Sequence, residues 1–328
     1  MATKFSQSVN IIRDEKTSLD YVSTPNAEKV ALQIADEFKK GIHSFTLIGS
    51  YGTGKSSFLW AFEKSLKKEA DFLPVNIGFE TTETTVLKIV GAYQSITEHF
   101  REILELKEED SAQRNILDAL NEEYERSGSL ILYIDEFGKF LEYAAKHDPN
   151  KELYFLQQLA ELVNDPNKNF LFLTTLHQNF EAYGSKLQEQ ERLEWKKIKG
   201  RFKEITFNEP VEQLLWLAAK KLGSGNSPQS FTGVTFSDLA AKHNIKKFSQ
   251  EFRSAIENEI YPLDVISGMV LTLALQRYGQ NERSLFGFLE LEAADSDRMA
   301  LPQVFDYLFK NFYSSLHANT NPHYGSWR

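Results

Sequence analysis

The chain contains no cysteine and no long uninterrupted apolar run. Without thiols, disulfides, thiolate zinc sites and cysteine nucleophiles are all excluded. No stretch reaches the roughly 18 consecutive apolar residues that a membrane helix needs, and the N-terminal segment lacks the apolar core of a signal peptide. We therefore expect a cytoplasmic protein that has no membrane partner.

Histidine and excess positive charge are also scarce. The seven histidines include no pair at the helical spacing of a metal site, so the only metal we expect is magnesium carried by a nucleotide. The formal net charge of −9 argues against general coating of nucleic acid, although a local basic strip leaves such binding possible. The strip consists of Lys196, Lys197, Lys199, Arg201 and Lys203.

Hydrophobic residues make up 41% of the 328 residues, and short β-prone runs alternate with segments of helical periodicity. Strands are predicted at 45–49, 72–79, 130–136, 170–175 and 204–207, and two helices are predicted between 84 and 126. This alternation predicts an α/β fold, with a mainly parallel sheet sandwiched by helices. After Pro210 the spacing is only helical. We predict a core domain over 1–209 and an all-α lid domain with a C-terminal tail over 210–328.

The segment "GSYGTGKSS", from Gly49 to Ser57, lies where the first strand gives way to a helix. It matches the phosphate-binding loop G-x-x-x-x-G-K-[ST] without a mismatch. Glycine allows positive φ and close approach of the backbone to an anion, and the helix start adds free amides and a positive dipole end. The alternative is a glycine-rich turn that fits by accident. The predicted nucleotide contacts are Gly49, Ser50, Tyr51, Gly52, Thr53, Gly54, Lys55, Ser56 and Ser57.

Two adjacent acids follow the most apolar strand, in "LILYIDEFGKFLE". Open α/β sheets bind ligands at the carboxyl ends of their strands, so Asp135 is predicted to hold Mg²⁺ through water together with the hydroxyl of Ser56. Glu136 would polarise the water that attacks the γ-phosphate, while Lys55 contacts the β- and γ-phosphates. The alternative is an ordinary strand end that carries two solvated acids.

With these two motifs the sequence resembles the AAA+ superfamily of P-loop ATPases, from about Tyr21 to Leu289. The resemblance implies ATP and Mg²⁺ as ligands and assembly into a homo-oligomer through the nucleotide site. "NFLFLTTLHQNF" resembles the strand that carries the γ-phosphate sensor. Thr175 is the predicted sensor and His177 the alternative, although the family more often has asparagine there.

Other segments resemble further parts of the same family. "KIKGRFKEITFNEP" is similar to the segment that carries an arginine finger, which implies that Arg201 acts on the next subunit, with Arg192 in reserve. "YGQNERSLFGFLE" is similar to the second-sensor region of origin-recognition-type initiator ATPases. This implies that Arg283 contacts the nucleotide after a turn at Gly279, with Arg277 as the substitute.

Tyr21 and Val22 lie in a segment that resembles the adenine-packing region. A plain aromatic core position is the alternative for Tyr21. "DEFGKFLE" and "QNERSLFGFL" also resemble large bacterial ATPases of phage-defence systems. The terminal "NPHYGSWR" suggests a module cut from a longer protein with an unknown effector.

Two functional hypotheses follow from these residues. The first is an ATPase that couples hydrolysis of Mg·ATP to lid movement and self-assembly, in DNA transactions or antiphage defence. The second is a slowly hydrolysing switch or scaffold that recruits a partner in one nucleotide state.

Overall fold

The computed structural model describes the chain over most of its length. The described residues are 9–17, 21–78, 84–106, 113–185, 187–208, 211–222, 238, 242, 256–257, 259–278, 281–293, 299–318, 321–322 and 325. Within these ranges no helix has both the length and the apolar character needed to cross a membrane.

A five-stranded parallel sheet forms the centre of the first unit. Its strands lie side by side in the order β2-β3-β4-β1-β5. Their bounds are β1 Ser44–Ile48, β2 Thr85–Val90, β3 Leu130–Asp135, β4 Phe170–Leu176 and β5 Lys203–Thr206. All five carboxyl ends therefore reach the same edge of the sheet.

Helices cover both faces of this sheet. In β3, Leu132 and Ile134 belong to one apolar cluster, whereas the alternate residues Ile131 and Tyr133 belong to the cluster on the other face. A strand covered on both sides reads as a continuous apolar run, which is why β3 and β4 are so evident in the sequence. The predicted α/β sandwich is confirmed.

The helices of the first unit are α1 Pro25–Phe38, α2 Lys55–Leu66, α3 Ile96–Ile103, α4 Gln113–Ser127, α5 Gly138–Ala144, α6 Pro149–Val163, α7 Phe180–Tyr183 and α8 Glu189–Lys199. One face of the sheet packs against α1 and α2. The other face packs against helices from α3 to α8. Burial of apolar side chains on both faces holds the strand ends in place.

The prediction of a strand at 72–79 is wrong. Residues 71–78 form no strand, and the missing strand is β2, inside the segment that we predicted to hold two helices. Lys88 is the reason for the error, because a lysine in the middle of "TVLKIV" interrupts the apolar pattern. In the fold its ammonium is buried and lies 2.9 Å from Glu63 and 2.8 Å from Glu15. Paired in this way, a lysine is tolerated on a covered sheet face.

The second unit consists mainly of residues from 209 onward and also includes Tyr51–Thr53, and its described elements are helices. These are α9 Val211–Leu222, α10 Val265–Tyr278, α11 Asn281–Ala293 and α12 Leu301–Leu316. They pack around apolar side chains such as Leu215, Leu271 and Leu289. An all-α unit after the sheet agrees with the predicted fold class.

The close approach of β2 to β3 depends on Gly91. Its amide donates to the carbonyl of Asp135 at 2.7 Å, and a Cβ at this position would overlap the carbonyl oxygen of Glu136 and lie 2.8 Å from its carbon. Backbone cannot move aside as a flexible side chain can.

We predict that Gly91→Ala lowers the free energy of unfolding by about 1–3 kcal/mol. The end of β2 would have to shift away from the turn at Asp135 and Glu136, which we call the acidic turn. Urea denaturation measures the change. Gly200→Ala is the matched control, since a Cβ there meets its nearest neighbour at 3.4 Å and should alter stability little. Equal effects of the two substitutions would contradict the close contact.

Candidate nucleotide site

The loop between β1 and α2 has the backbone shape that its glycines permit. Gly52 and Gly54 have φ values of 71° and 78°, in the left-handed region that side chains disfavour. Gly54 is also the residue that precedes α2. Since it has no side chain to cap the helix, no side chain caps the amides at the start of α2, which is the arrangement that favours an anion at a helix start.

Lys55 is folded into this loop. Its ammonium donates to the carbonyls of Gly49 at 2.6 Å and Ser50 at 2.8 Å, and only 5% of the residue is exposed. A buried ammonium that donates to neutral carbonyls gains by pairing with an anion. The loop therefore presents a positive charge and helix-start amides at one place.

The carboxyl end of β4 lies between the loop and the acids. In the sheet, β4 separates β1, which precedes the loop, from β3, which precedes the acids. The carbonyl of Leu176 accepts from the amide of Gly49 at 3.1 Å, and the hydroxyl of Thr175 donates to Asp135 Oδ1 at 2.6 Å. Two consecutive residues thus join the two halves of the site.

The hydroxyl of Thr175 is hydrogen-bonded to both acidic residues. Its hydroxyl oxygen accepts from the amide of Glu136 at 2.9 Å while its proton goes to Asp135, and its carbonyl accepts from Phe137 at 3.1 Å. The residue is 1% exposed. With its hydroxyl engaged in this way, Thr175 can orient the acidic turn.

The residues at this edge fit a magnesium ion that arrives with a nucleotide. Asp135 is 4% exposed, and no described residue donates a hydrogen bond to its Oδ2. The described residues also contain no group of three or more metal-binding side chains. A single carboxylate oxygen beside phosphates is how Mg²⁺ is usually held, with water completing the shell.

Glu136 has an unusual backbone conformation. Its φ is 53°, which a non-glycine residue rarely adopts, and this bends the chain sharply at the end of β3. Its carboxylate forms an ion pair with Lys139, one helical turn further on. The side chain is 34% exposed, so the carboxylate is accessible to water.

His177 lies in the field of both halves of the site. Burial lowers its pKa to about 4, and the positive charge of Lys55 acts in the same direction, whereas Glu136 opposes the shift. The imidazole is therefore neutral at neutral pH. Because the pKa in the unfolded chain is near 6.5, this group's contribution to stability is complete above pH 6.5 and is lost as the pH falls towards 4.

Arg201 lies at the opposite edge of the sheet from the loop. It precedes β5, whose first residue pairs with the start of β1, so about 16 Å of strand separates it from the loop in the same subunit. Its guanidinium forms an ion pair with Glu161 at 2.6 Å. Arg192, the reserve residue, lies on α8 and donates to the carbonyl of Leu187 at 2.9 Å.

Most of the predicted basic strip is paired with acids. The ion pairs are Lys197–Glu194, Lys199–Glu181, Arg201–Glu161 and Lys203–Glu37. Each of these cations is therefore partly neutralised by a neighbouring carboxylate.

The structure gives less information about the residues predicted to contact adenine and to act as the second sensor. Tyr21 packs edge-on against Phe72 at 5.6 Å and borders the apolar cluster on the α1–α2 face, and Val22 is half-buried beside it. Arg283 is in the first turn of α11, but its side chain lies outside the described residues, as does Gly279. Arg277 ends α10, with its guanidinium 5.7 Å from the ring of Tyr278.

Sequence reasoning missed two residues that contact the acidic turn. Gly91 was overlooked because β2 was misplaced. Lys139 carries a signal that could have been read, since it follows Glu136 at i+3 in a segment that becomes helical.

The solved structures that are similar to this chain include the following three. ORC2 of Aeropyrum pernix in its ADP form is 15% identical, with a TM-score of 0.46 over 92% of this chain and 73% of that chain. Domain III of the replication initiation protein DnaA of Thermotoga maritima is 15% identical, with a TM-score of 0.39 over 89% and 94% of the two chains. The Walker-type ATPase of Pyrococcus abyssi is 13% identical, with a TM-score of 0.36 over 80% and 71%.

These are the class of protein that the motifs resemble. Such low identities and TM-scores say nothing about the site of this chain, which rests on its own residues. No family model matches the sequence, and no curated protein matches it.

We predict that His177 titrates near pH 4 in NMR spectra of histidine-labelled protein. Lys55→Met should raise this pKa because a repelling cation is removed, and Glu136→Gln should lower it because an attracting anion is removed. A parent value near 6.5, or shifts of the same sign in both variants, would show that His177 does not lie between the two charges.

Proposed function

We propose that this protein binds and hydrolyses ATP in the presence of Mg²⁺. The observation that carries the proposal is the end of β4, where Leu176 bonds to the phosphate-binding loop and Thr175 bonds to the acidic turn. A nucleotide held by the loop would have its terminal phosphate next to these acids. ORC2 was solved in ADPNP–ADP complexes, which is consistent with nucleotide binding by this fold.

Each residue of the loop has a separate task. The amides from Ser50 to Ser57 and the dipole of α2 bind the phosphate oxygens. Lys55 exchanges its two carbonyl partners for the β- and γ-phosphates. Magnesium, when bound, neutralises phosphate charge, and the hydroxyl of Ser56 and the carboxylate of Asp135 would hold it.

Glu136 is the proposed base. Its carboxylate would leave Lys139 and accept a proton from the water that attacks the γ-phosphate, a step worth about 10²–10⁴ in rate. Thr175 keeps the backbone of this turn in place, and His177, neutral at working pH, can donate or accept a hydrogen bond beside it. Thr175 is thus proposed as a positioning residue rather than a contact of the γ-phosphate.

Self-assembly would complete the site. Arg201 is too far from the loop of its own subunit to reach it, so we propose that it stabilises the phosphoryl charge on a neighbouring copy, after leaving Glu161. Arg283 would act from the helical unit and couple nucleotide to lid movement, and Tyr21 and Val22 would contact adenine. The proposals of a role in DNA transactions or antiphage defence and of an effector partner rest on the sequence motifs alone.

We predict that Glu136→Gln still binds ATP but lowers the hydrolysis rate by about 10²–10⁴-fold, because the amide cannot accept the proton. Isothermal calorimetry with Mg·ATP and a phosphate-release assay measure the two quantities. Lys55→Ala is the control that should lose binding itself. Unchanged hydrolysis in Glu136→Gln would remove Glu136 from the mechanism.

We predict that Arg201→Ala binds ATP but hydrolyses it at least about 10³-fold more slowly, since developing charge is no longer offset. Mixing this variant with Glu136→Gln protein should restore part of the activity, because a mixed pair contains one intact site. Glu161→Ala is the matched control, as it removes the ion-pair partner of Arg201 and should keep activity. Failure of the mixture to regain any activity would contradict action between subunits.

A slow nucleotide-dependent switch is the second candidate, and the ion pair between Glu136 and Lys139 favours it. An enzyme whose general base is paired with a cation hydrolyses ATP slowly unless the ion pair opens. Turnover below about one per minute, against typical enzyme rates of 1–10³ per second, with association following ATP occupancy, would favour the switch. Under this reading Lys139→Ala should raise the turnover.

A further inference from the structure

The apolar side chains of helix α12 cover more than its buried face. The buried face packs within the helical unit through Val304, Tyr307 and Leu308, with the ring of Tyr307 at 5.2 Å from that of Phe288. A surface helix normally carries polar side chains beside its buried stripe. Here apolar side chains continue from the buried face onto the exposed side of the helix.

On the exposed side a stripe is formed by Leu301, Phe305, Phe309 and Tyr313, the last of which follows a kink at Phe312, where φ is −123° and ψ is 19°. These side chains are 46%, 52%, 37% and 53% exposed. They recur every four residues, and the ring centroids of Phe305 and Phe309 are 6.0 Å apart, those of Phe309 and Tyr313 5.3 Å. Large apolar groups in contact with one another in water are typical of a surface that binds another protein.

One flank of the stripe carries two opposite charges. Asp306 and Lys310 each follow a stripe residue by one position, so both lie on the same side of it. Both are exposed, and neither forms an ion pair with any residue in the described ranges. Their charges are thus available to a partner.

These charges fit a second copy of the same helix in one orientation. When two identical helices pack antiparallel about a two-fold axis, like flanks face each other, so Asp306 of each copy can stand opposite Lys310 of the other. In a parallel pair, unlike flanks would meet and the two charges would not face each other. The arrangement is self-complementary only when antiparallel.

We propose that the stripe of α12 is a contact between two copies of this chain, packed antiparallel and centred near Leu308. This contact is independent of the nucleotide and of Arg201. The stripe presents on the order of 400 Å² per copy, about half of what a stable complex buries on each partner, so the association is weak alone and strengthens any second contact.

Sedimentation velocity without nucleotide, from about 10 to 500 μM full-length chain, tests the contact. The parent should associate in this range, and Phe305→Ser with Phe309→Ser should weaken association at least about 10-fold, because each change occurs twice in the interface. Leu32→Ser, at an exposed leucine of α1, is the control and should change nothing. A monomeric parent, or equal effects of control and stripe variants, overturns the proposal.

Charge exchange tests the orientation. Asp306→Lys and Lys310→Asp should each associate less well than the parent, because like charges then face each other. Mixed together, the two variants should associate at least as well as the parent, since every facing pair is again opposite in sign. No gain on mixing overturns the antiparallel arrangement.

Cross-linking gives an independent measurement, because the chain has no cysteine of its own. Phe309→Cys lies near the proposed axis and should form a disulfide-linked dimer under mild oxidation, whereas Leu32→Cys should remain monomeric at the same concentration. Equal yields from both positions overturn the proposal.

Discussion

The site depends on how the last residues of β4 are bonded. The carbonyl of Leu176 fixes the start of the phosphate-binding loop, and the hydroxyl of Thr175 fixes Asp135 and the amide of Glu136. Both residues are buried, so these bonds form in a low-dielectric interior where geometry is well defined. If this end of β4 shifted, the cation of Lys55 and the acids would no longer face a common space.

The charged groups at this edge of the sheet form hydrogen bonds and ion pairs with other groups of the protein. Lys55 is bonded to loop carbonyls and Glu136 to Lys139, so each charged group has a partner before any ligand arrives. When a buried charged group exchanges one partner for another, the free-energy cost is lower than that of burying a charge without a partner. This arrangement also explains how a buried cation and nearby acids can be stable at one edge of the sheet.

Much of the site could be predicted from the sequence because its chemistry is local. The glycines and Lys55 form one continuous loop, and Asp135 follows an apolar strand, so spacing alone identified both. The order of the strands was beyond such reasoning, since it depends on pairing between distant segments. Strand β2 was missed because the ion pairs of Lys88 are visible only in the fold, and the role of Thr175 depends on a neighbour 40 residues away.

The end of β4 joins the two halves of the site, with Leu176 bonded to the loop and Thr175 bonded to the acids, and replacing the hydroxyl of Thr175 tests its part in this most directly. Turnover and Mg·ATP affinity should be measured for Thr175→Val and Thr175→Ser. The account predicts that the valine variant binds ATP while hydrolysis falls at least about 10-fold, and that serine restores most of it, because it keeps the donor to Asp135. Parental hydrolysis in a folded Thr175→Val protein would contradict the account.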